Sequence, residues 1–548
     1  MPNRRGRTVK GLTALVAVGA LVGLAQEPAT APRDPRPVAT APVAAASASV
    51  SPGVDGALGD QRRPNIVVIM ADDMREDELQ YMPRTRALLG LQGTRFVNSF
   101  SPHPQCCPAR ASFVTGQYTH NHQVWSNRGL YGGFQALDDT DTMPVALHRA
   151  GYTTAFAGKY LNGYGIRPFP DGSDSRTYIP PGWSDWRASV RGIYRYFNPT
   201  LNVNGTLRST PRWYQTRMFG AEVEDMIGRS ARSPRPFFLW AAYVAPHVGT
   251  PEEVDDPGAV ERDGGGRNGF LSPAVPAGVR GMFDETITRA PGADGEADVG
   301  DKPYFISKLP PTTATEQNAM AEVSRQRAES LEVLDQEVED TVVALDRAGE
   351  LDDTVVIFTA DNGYFLGEHR IRQGKLLPYD PALRVPLLVR GPGIPTGEER
   401  TDPVTTIDFA PTFLQLAGIA PDPDMDGLSF LDPDASDDPT ADTGWVRAIM
   451  TQTGPRTAAD TTADGRLPPG ADPVRFTEGV RTERYLYVEH ATGERELYDL
   501  RRDPDQFRNV IDRPVGAPVV AELAALLDEL RVCRGQSCRA RIPRSLRR

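Results

Sequence analysis

Four short apolar runs in this chain each end in a polar or charged pair, and that pattern limits the possible folds more than any other feature. The runs are 66–70 (IVVIM), 153–157 (TTAFA), 237–243 (FFLWAAY) and 355–359 (VVIFT); a fifth, 385–389 (VPLLV), carries Pro386. Strands buried on both faces read as unbroken apolar runs, the mark of a parallel sheet covered by helices on each side. Helical patterns at 143–150 and 319–348 fall between the runs. The alternation predicts an α/β fold: a large, mostly parallel sheet flanked by helices. Pro386 lacks the N–H a central ladder needs, so it marks a strand start or an edge. Open α/β sheets bind ligands at the carboxyl ends of their strands. Those ends here carry Asp72-Asp73, Gly158-Lys159, Pro246-His247 and Asp361-Asn362. One such pair is ordinary turn chemistry; four together predict a site.

The rest of the chain is organised differently. Residues 480–489 (VRTERYLYVE) alternate as one strand, Gly493 makes a turn, 494–500 (ERELYDL) pairs back, and 519–532 reads as an amphipathic helix. This predicts a smaller antiparallel-sheet subdomain over 441–548, beside a catalytic domain over 63–440. The stretch 432–472 reads as loop, and 251–301, rich in Gly and Asp, as an irregular excursion near the site. Arg4, Arg5, Arg7 and Lys10 precede the apolar segment 11–25, which is shorter than the ~20 residues of a membrane span. Residues 1–26 therefore read as a signal peptide, and 27–62 as an Ala/Pro-rich linker. The expected location is secreted or extracytoplasmic, with no stable membrane anchor, and the Arg4-Arg5 pair hints at twin-arginine export. A net charge of −12 over 548 residues argues against nucleic-acid binding. The four cysteines, Cys106, Cys107, Cys533 and Cys538, are too few for a disulfide scaffold. In an exported protein Cys533 and Cys538 read as a small disulfide loop, the alternative being two free thiols.

Adjacent acids such as Asp72 and Asp73 repel one another unless a cation lies between them. With Asp361 and Asn362 they offer hard oxygen ligands, which suits Ca²⁺, with Mg²⁺ as the alternative. No Cys/His cluster has zinc spacing. In Cys106-Cys107-Pro108-Ala109-Arg110, Pro108 suits the first turn of a helix and Gly116 suits its end. Cys106 would then sit at a helix N-terminus, which favours anions, and Arg110 would offer a planar fork to an oxyanion. The alternative is two buried structural cysteines.

Cys106-x-Pro108-x-Arg110, continuing to Thr115-Gly116, resembles the signature of the type I sulfatases, formylglycine-dependent enzymes with an alkaline-phosphatase-like fold. Residues 64–73 (PNIVVIMADD), 359–363 (TADNG), 366–369 (LGEH), Gly374-Lys375, 497–500 (LYDL) and Asp503-Pro504 are similar to further family segments in the same order. The resemblance covers about 63–540. It implies that Cys106 is converted to formylglycine by a formylglycine-generating enzyme. It implies that Asp72, Asp73, Asp361, Asn362 and residue 106 hold Ca²⁺, and that Arg110 steadies the formylglycine. It further implies that Lys159, His247 and Lys375 contact a sulfate ester, with His247 helping to protonate the leaving alcohol.

Two departures matter. Ala109 replaces the usual Ser, and the histidine that many sulfatases carry two or three positions after the lysine matching Lys159 is missing; Asn162 stands there instead and cannot serve as an acid or base near neutral pH. Yet 158–162 (GKYLN), 178–183 (YIPPGW) and 201–205 (LNVNG) resemble the N-acetylglucosamine-6-sulfatases. The expected activity is therefore sulfuric ester hydrolysis on a small or terminal group, a 6-O-sulfated N-acetylglucosamine or an aryl sulfate, with Asn162 among the substrate contacts. The long basic insertion of the heparan endosulfatases is absent. Two alternatives stay open: a phosphoester or phosphonate monoester hydrolase on this fold, and a non-catalytic carbohydrate-binding relative. His120 and His122 either line the pocket entrance or pack locally, and Glu368 and His369 either orient the metal loop or touch substrate.

Overall fold

The five apolar runs become strands of one ten-stranded sheet in the computed structural model. The structure describes residues 63–548 except 130, 167, 170, 171, 191, 262–266, 294, 432–444, 455–475, 514–516 and 548. The expected signal peptide and linker at 1–62 lie outside the described residues, as does the expected boundary at 440/441. No helix among the described residues is long and apolar enough to cross a membrane.

The strands are β1 Asn65–Ala71, β2 Thr94–Phe96, β3 Thr153–Gly158, β4 Asp185–Val190, β5 Thr200–Val203, β6 Thr206–Ser209, β7 Phe237–Ala242, β8 Thr354–Ala360, β9 Leu387–Arg390 and β10 Glu398–Arg400. Their order is β10-β2-β9-β8-β1-β7-β3-β4-β5-β6. β8, β1, β7, β3 and β4 are mutually parallel, whereas β9 runs antiparallel to both β8 and β2. Pro386 thus marks a strand start, not an edge. The register places Ala71 opposite Ala360, Met70 opposite Ala242 and Gly158 opposite Ala242. The polar residues that follow these strands therefore emerge side by side along one edge.

The principal helices are α1 Cys106–Thr115, α2 Met143–Arg149, α3 Gln215–Ser230, α4 Ala314–Arg347, α5 Phe409–Leu416 and α6 Ala517–Leu530. Alternate residues of the central strands enter two separate cores. Ile66, Val68, Phe156 and Trp240 pack with Phe113 of α1, Leu147 of α2 and Phe413 of α5. Val67, Ile69, Leu239 and Phe358 pack with Val223 of α3 and Leu334 of α4. This two-sided burial is the reason the runs are apolar throughout. Leu334 is fully buried, so Leu334→Ala should cost about 2–5 kcal/mol, read as a lower urea midpoint at unchanged slope.

A separate four-stranded antiparallel sheet follows, β11 Ile449–Thr453, β12 Thr477–Arg481, β13 Tyr485–His490 and β14 Arg495–Asp499, in that order. Two sequence expectations fail here. Residues 480–489 are not one strand: Thr482 N donates to Tyr485 O at 2.8 Å, so the chain turns and reverses. Polar residues of the TER segment, which fit an alternating pattern, are the turn. β11 lies inside the stretch read as loop. Its Thr and Gln residues gave no apolar signal, yet all five positions are buried. α6 packs Leu523, Leu527 and Leu530 on this sheet beside Val480 and Tyr487, and Cys533 is disulfide-bonded to Cys538. Among its described residues the excursion at 251–301 is largely irregular. It reaches the site loops, where Gly249 N donates to Ser272 O and the Gln373 side chain bonds both backbone groups of Leu271.

Candidate active site

α1 begins where the chain needs it. Gln105 is extended, Cys106 opens the helix, Pro108 lies in its first turn, and Gly116 closes it at φ 71°, in the left-handed region that glycine adopts without strain. Cys106 and Arg110, one turn apart, are both fully buried against the sheet edge. The four strand ends surround them. Asp72, Asp73, Lys159, Asp361 and Asn362 are buried, while Lys375 and His247 keep 13% and 12% side-chain exposure. The open side of the site is thus lined by a lysine and a histidine.

The carboxylates and cations interlock. Arg110 Nε donates to Asp361 Oδ2 at 2.8 Å, and its Nη1 donates to Lys159 O at 2.5 Å. Lys159 pairs with Asp72, and Lys375 with Asp73. Lys375 Nζ also lies 2.8 Å from Cys106 Sγ, which is 3.7 Å from Asp73 Oδ1. Asp73 N and Asn362 N both donate to Asp361 Oδ1, at 3.0 and 2.9 Å, and Asn362 Nδ2 donates to Asp73 Oδ1 at 2.7 Å. Asp73 takes φ 63°, a conformation an Asp tolerates better than most residues. His247 Nδ1 donates to Val248 O at 2.6 Å, which leaves Nε2 facing Asp73 Oδ2 at 3.5 Å.

Three acids, Asp72, Asp73 and Asp361, thus face three permanent cations, Arg110, Lys159 and Lys375. Burial alone would raise the Asp72 carboxyl, but Lys159, His247 and Arg110 outweigh it and hold it below the usual carboxylate range. Asp361 goes the other way: burial, with the Asp72 charge beside it, pushes it up to about 6. Burial and the same Asp72 charge push the Cys106 thiol up to about 12, so in these surroundings it is not a thiolate near neutral pH.

The donor set fits a hard divalent cation. Asp72 Oδ1 is buried with no hydrogen-bond partner, which is costly for a carboxylate oxygen unless a cation takes it. Ligand atoms of Asp72, Asp73, Cys106 and His247 lie within 4.8 Å of one another. Asp361 and Asn362 join this group through their bonds to Asp73.

Other candidates fall outside the site. His120 bonds the Gln452 side chain and Cys533 O, at 3.1 and 3.0 Å, tying the loop after α1 to the C-terminal sheet. His369 bonds Glu296, and Glu368 bonds Arg75 and Leu366 N, so both brace the loop between Asp361 and Lys375. His122 bonds Ser112 Oγ and accepts from Val124 N, and burial pushes its imidazole from 6.5 down to about 3. The unfolded chain therefore takes up a proton at His122 before the folded chain does. Stability should fall as pH drops from 6.5 towards 3, by up to about 1.4 kcal/mol per unit from this group. Urea midpoints against pH should show a shallower fall in His122→Gln; an identical slope would refute the assignment.

Asn162 lies behind Lys159, its Nδ2 donating to the Tyr194 hydroxyl at 2.8 Å. Tyr194 itself was missed in the sequence. It follows β4, and the available signal was an aromatic run, 194–197 (YRYF), after a further strand of the same sheet.

A family model for sulfatases matches residues 64–419, well over half of the chain. An arylsulfatase of Volvox carteri is 32% identical over 524 residues, covering 88% of this chain and 76% of that protein. The human N-acetylglucosamine-6-sulfatase is 30% identical over 519 residues, covering 89% and 88%. The solved structure of BT4656 in complex with its substrate D-glucosamine-2-N,6-O-disulfate superimposes with a TM-score of 0.66 at 20% identity, covering 86% of this chain and 98% of that one. The chain belongs to the sulfatase family.

Proposed function

We propose that this chain is a secreted sulfatase that removes sulfate from a small or terminal sulfated amino sugar, using residue 106 as formylglycine and a bound Ca²⁺. The observation that carries the reading is the placement of residue 106. It lies at the N-terminus of α1, between Lys375 and Asp73, inside a ring of three acids and three cations. Formylglycine supplies a hydrated aldehyde as an oxygen nucleophile, and Ca²⁺ held by Asp72, Asp73, Asp361 and Asn362 supplies positive charge for the sulfate oxygens.

The chain's own groups do the rest. Arg110 is locked by Asp361 and the Lys159 carbonyl and so holds residue 106 in position. With the acids neutralised by the cation, the ammoniums of Lys159 and Lys375 are available to an anionic ester. His247, its Nδ1–H committed to Val248 O, turns Nε2 towards the site, where its imidazolium form can give a proton to the leaving oxygen. The similarity to N-acetylglucosamine-6-sulfatases over nearly the whole chain supports the amino-sugar substrate. The segment 1–26 would direct export, and the catalytic and C-terminal parts would divide near 440.

The mature enzyme should hydrolyse 6-O-sulfated N-acetylglucosamine, and should favour an aryl sulfate over the matched aryl phosphate by about 100-fold in kcat/KM. A preference for the phosphate would replace this reading with phosphoester hydrolysis.

A further inference from the structure

Lys159, Asn162 and His247 come from two different strand ends, yet all three touch one side chain, that of Tyr194. The tyrosine ring stacks on the His247 imidazole, with centroids 4.1 Å apart and planes 14° from parallel. Lys159 Nζ lies 4.8 Å from the ring centroid. The hydroxyl accepts a hydrogen bond from Asn162 Nδ2 at 2.8 Å.

The backbone around Tyr194 is tied to the same loop as His247. Thr250 N donates to Tyr194 O at 2.9 Å, and the Tyr196 hydroxyl donates to His247 O at 2.6 Å. Gln215 Nε2 bonds the carbonyls on either side of Tyr194, those of Ile193 and Arg195, at 3.0 and 3.1 Å. Tyr194 is therefore a rigid plate, half-buried at the mouth of the site. An aromatic face attracts an ammonium and restricts rotation of a stacked ring. Small misplacements of reacting groups are costly in rate.

We propose that Tyr194 is a positioning residue that holds the Lys159 ammonium and the His247 imidazole as one unit facing the oxygen of the departing alcohol. The inference rests on the sulfatase reading and deepens it. In the overall reaction water takes the sulfuryl group. The electron pair of the broken S–O bond stays on the alcohol oxygen, and that oxygen takes a proton from Nε2 of His247 in its imidazolium form, a proton that the consumed water restores. A phenoxide leaves readily without the proton, whereas an aliphatic alkoxide does not. Tyr194 therefore matters most for sulfates of aliphatic alcohols, sugar hydroxyls among them.

The test compares 4-nitrophenyl sulfate with N-acetylglucosamine 6-sulfate on the mature, full chain. Tyr194→Leu should lower kcat about 100-fold on the sugar sulfate but only about threefold on the aryl sulfate, with KM changed by less than about threefold. Tyr194→Phe keeps the plate and should stay within about threefold of the parent on both. Tyr194→Met, which fills a similar volume without an aromatic face, carries the same expectation as Leu should that variant fail to fold. Equal losses on both esters would show a merely structural role and overturn the proposal. So would no loss in Leu or Met, or a Phe variant as impaired as Leu. A parent inactive on both esters would sink the sulfatase reading instead. The positioning claim would then be decided by calorimetry with inorganic sulfate. Tyr194→Leu should bind it about threefold more weakly and Tyr194→Phe should not; unchanged binding in the Leu variant overturns the proposal.

Discussion

Replacing Cys106 with Ala should abolish sulfate ester hydrolysis, by about 10³-fold or more in kcat, with the fold intact. Residue 106 is the group around which the site closes: Lys375 Nζ at 2.8 Å, Asp73 Oδ1 at 3.7 Å, and complete burial at the start of α1. The cost to folding should be small, about 1 kcal/mol, because only the one group beyond Cβ is lost. Kinetics on an aryl sulfate and a thermal melt separate the two effects. A variant that keeps a tenth or more of the parent activity would remove Cys106 from the chemistry. Mass spectrometry of the peptide carrying residue 106 tests the form it takes. An aldehyde or its hydrate is expected. An unmodified thiol in an active, natively produced enzyme would contradict the formylglycine step.

Removing the divalent ion should be nearly as damaging. Chelation should reduce turnover about 100-fold or more, and adding back Ca²⁺ should restore it. An ion that binds only the folded chain stabilises it, so under the proposed function Ca²⁺ at 100 times its Kd should raise stability by about 2.7 kcal/mol, visible as a higher Tm. Asp73→Asn is the sharpest variant. It keeps the shape and tolerates the left-handed conformation at residue 73, yet removes one of the charges that gather Lys375, His247 and the ion. It should lose both the activity and the Ca²⁺-dependent rise in Tm. A variant that retains the full rise would place the ion elsewhere.

Several members of the site were legible because they follow an apolar strand and break its pattern, whereas Cys106, Arg110 and Lys375 do not and were found through the signature motif and the family resemblance. Asp72, Lys159, His247 and Asp361 were found from their strand ends, without knowledge of which strands are neighbours. Tyr194 was not, because an aromatic residue after a strand resembles ordinary core, and only its three contacts distinguish it. His120, Glu368 and His369 carry the chemistry of site residues but spend it on Gln452, Arg75 and Glu296, pairings that depend on folding. In the C-terminal part, β11 escaped notice because only Ile449 and Met450 in it are apolar, while Thr451, Gln452 and Thr453 are buried without an apolar signal.

By itself the sequence determined the class of fold and the strand ends that carry Asp72, Asp73, Lys159, His247, Asp361 and Asn362, whereas Lys375 and the assignment of Cys106 rested on the resemblance to the type I sulfatases. The fold class and the strand ends follow from local rules: continuous apolar runs must be buried on both faces, and charged groups are confined to their ends. The tertiary structure alone decided which charges meet. Asp361 stands 251 positions from Arg110, and Lys375 stands 269 from Cys106. They meet because the order and register of β8, β1, β7 and β3 bring the strand ends together beside the start of α1, a property of the whole sheet that no local stretch of the chain encodes.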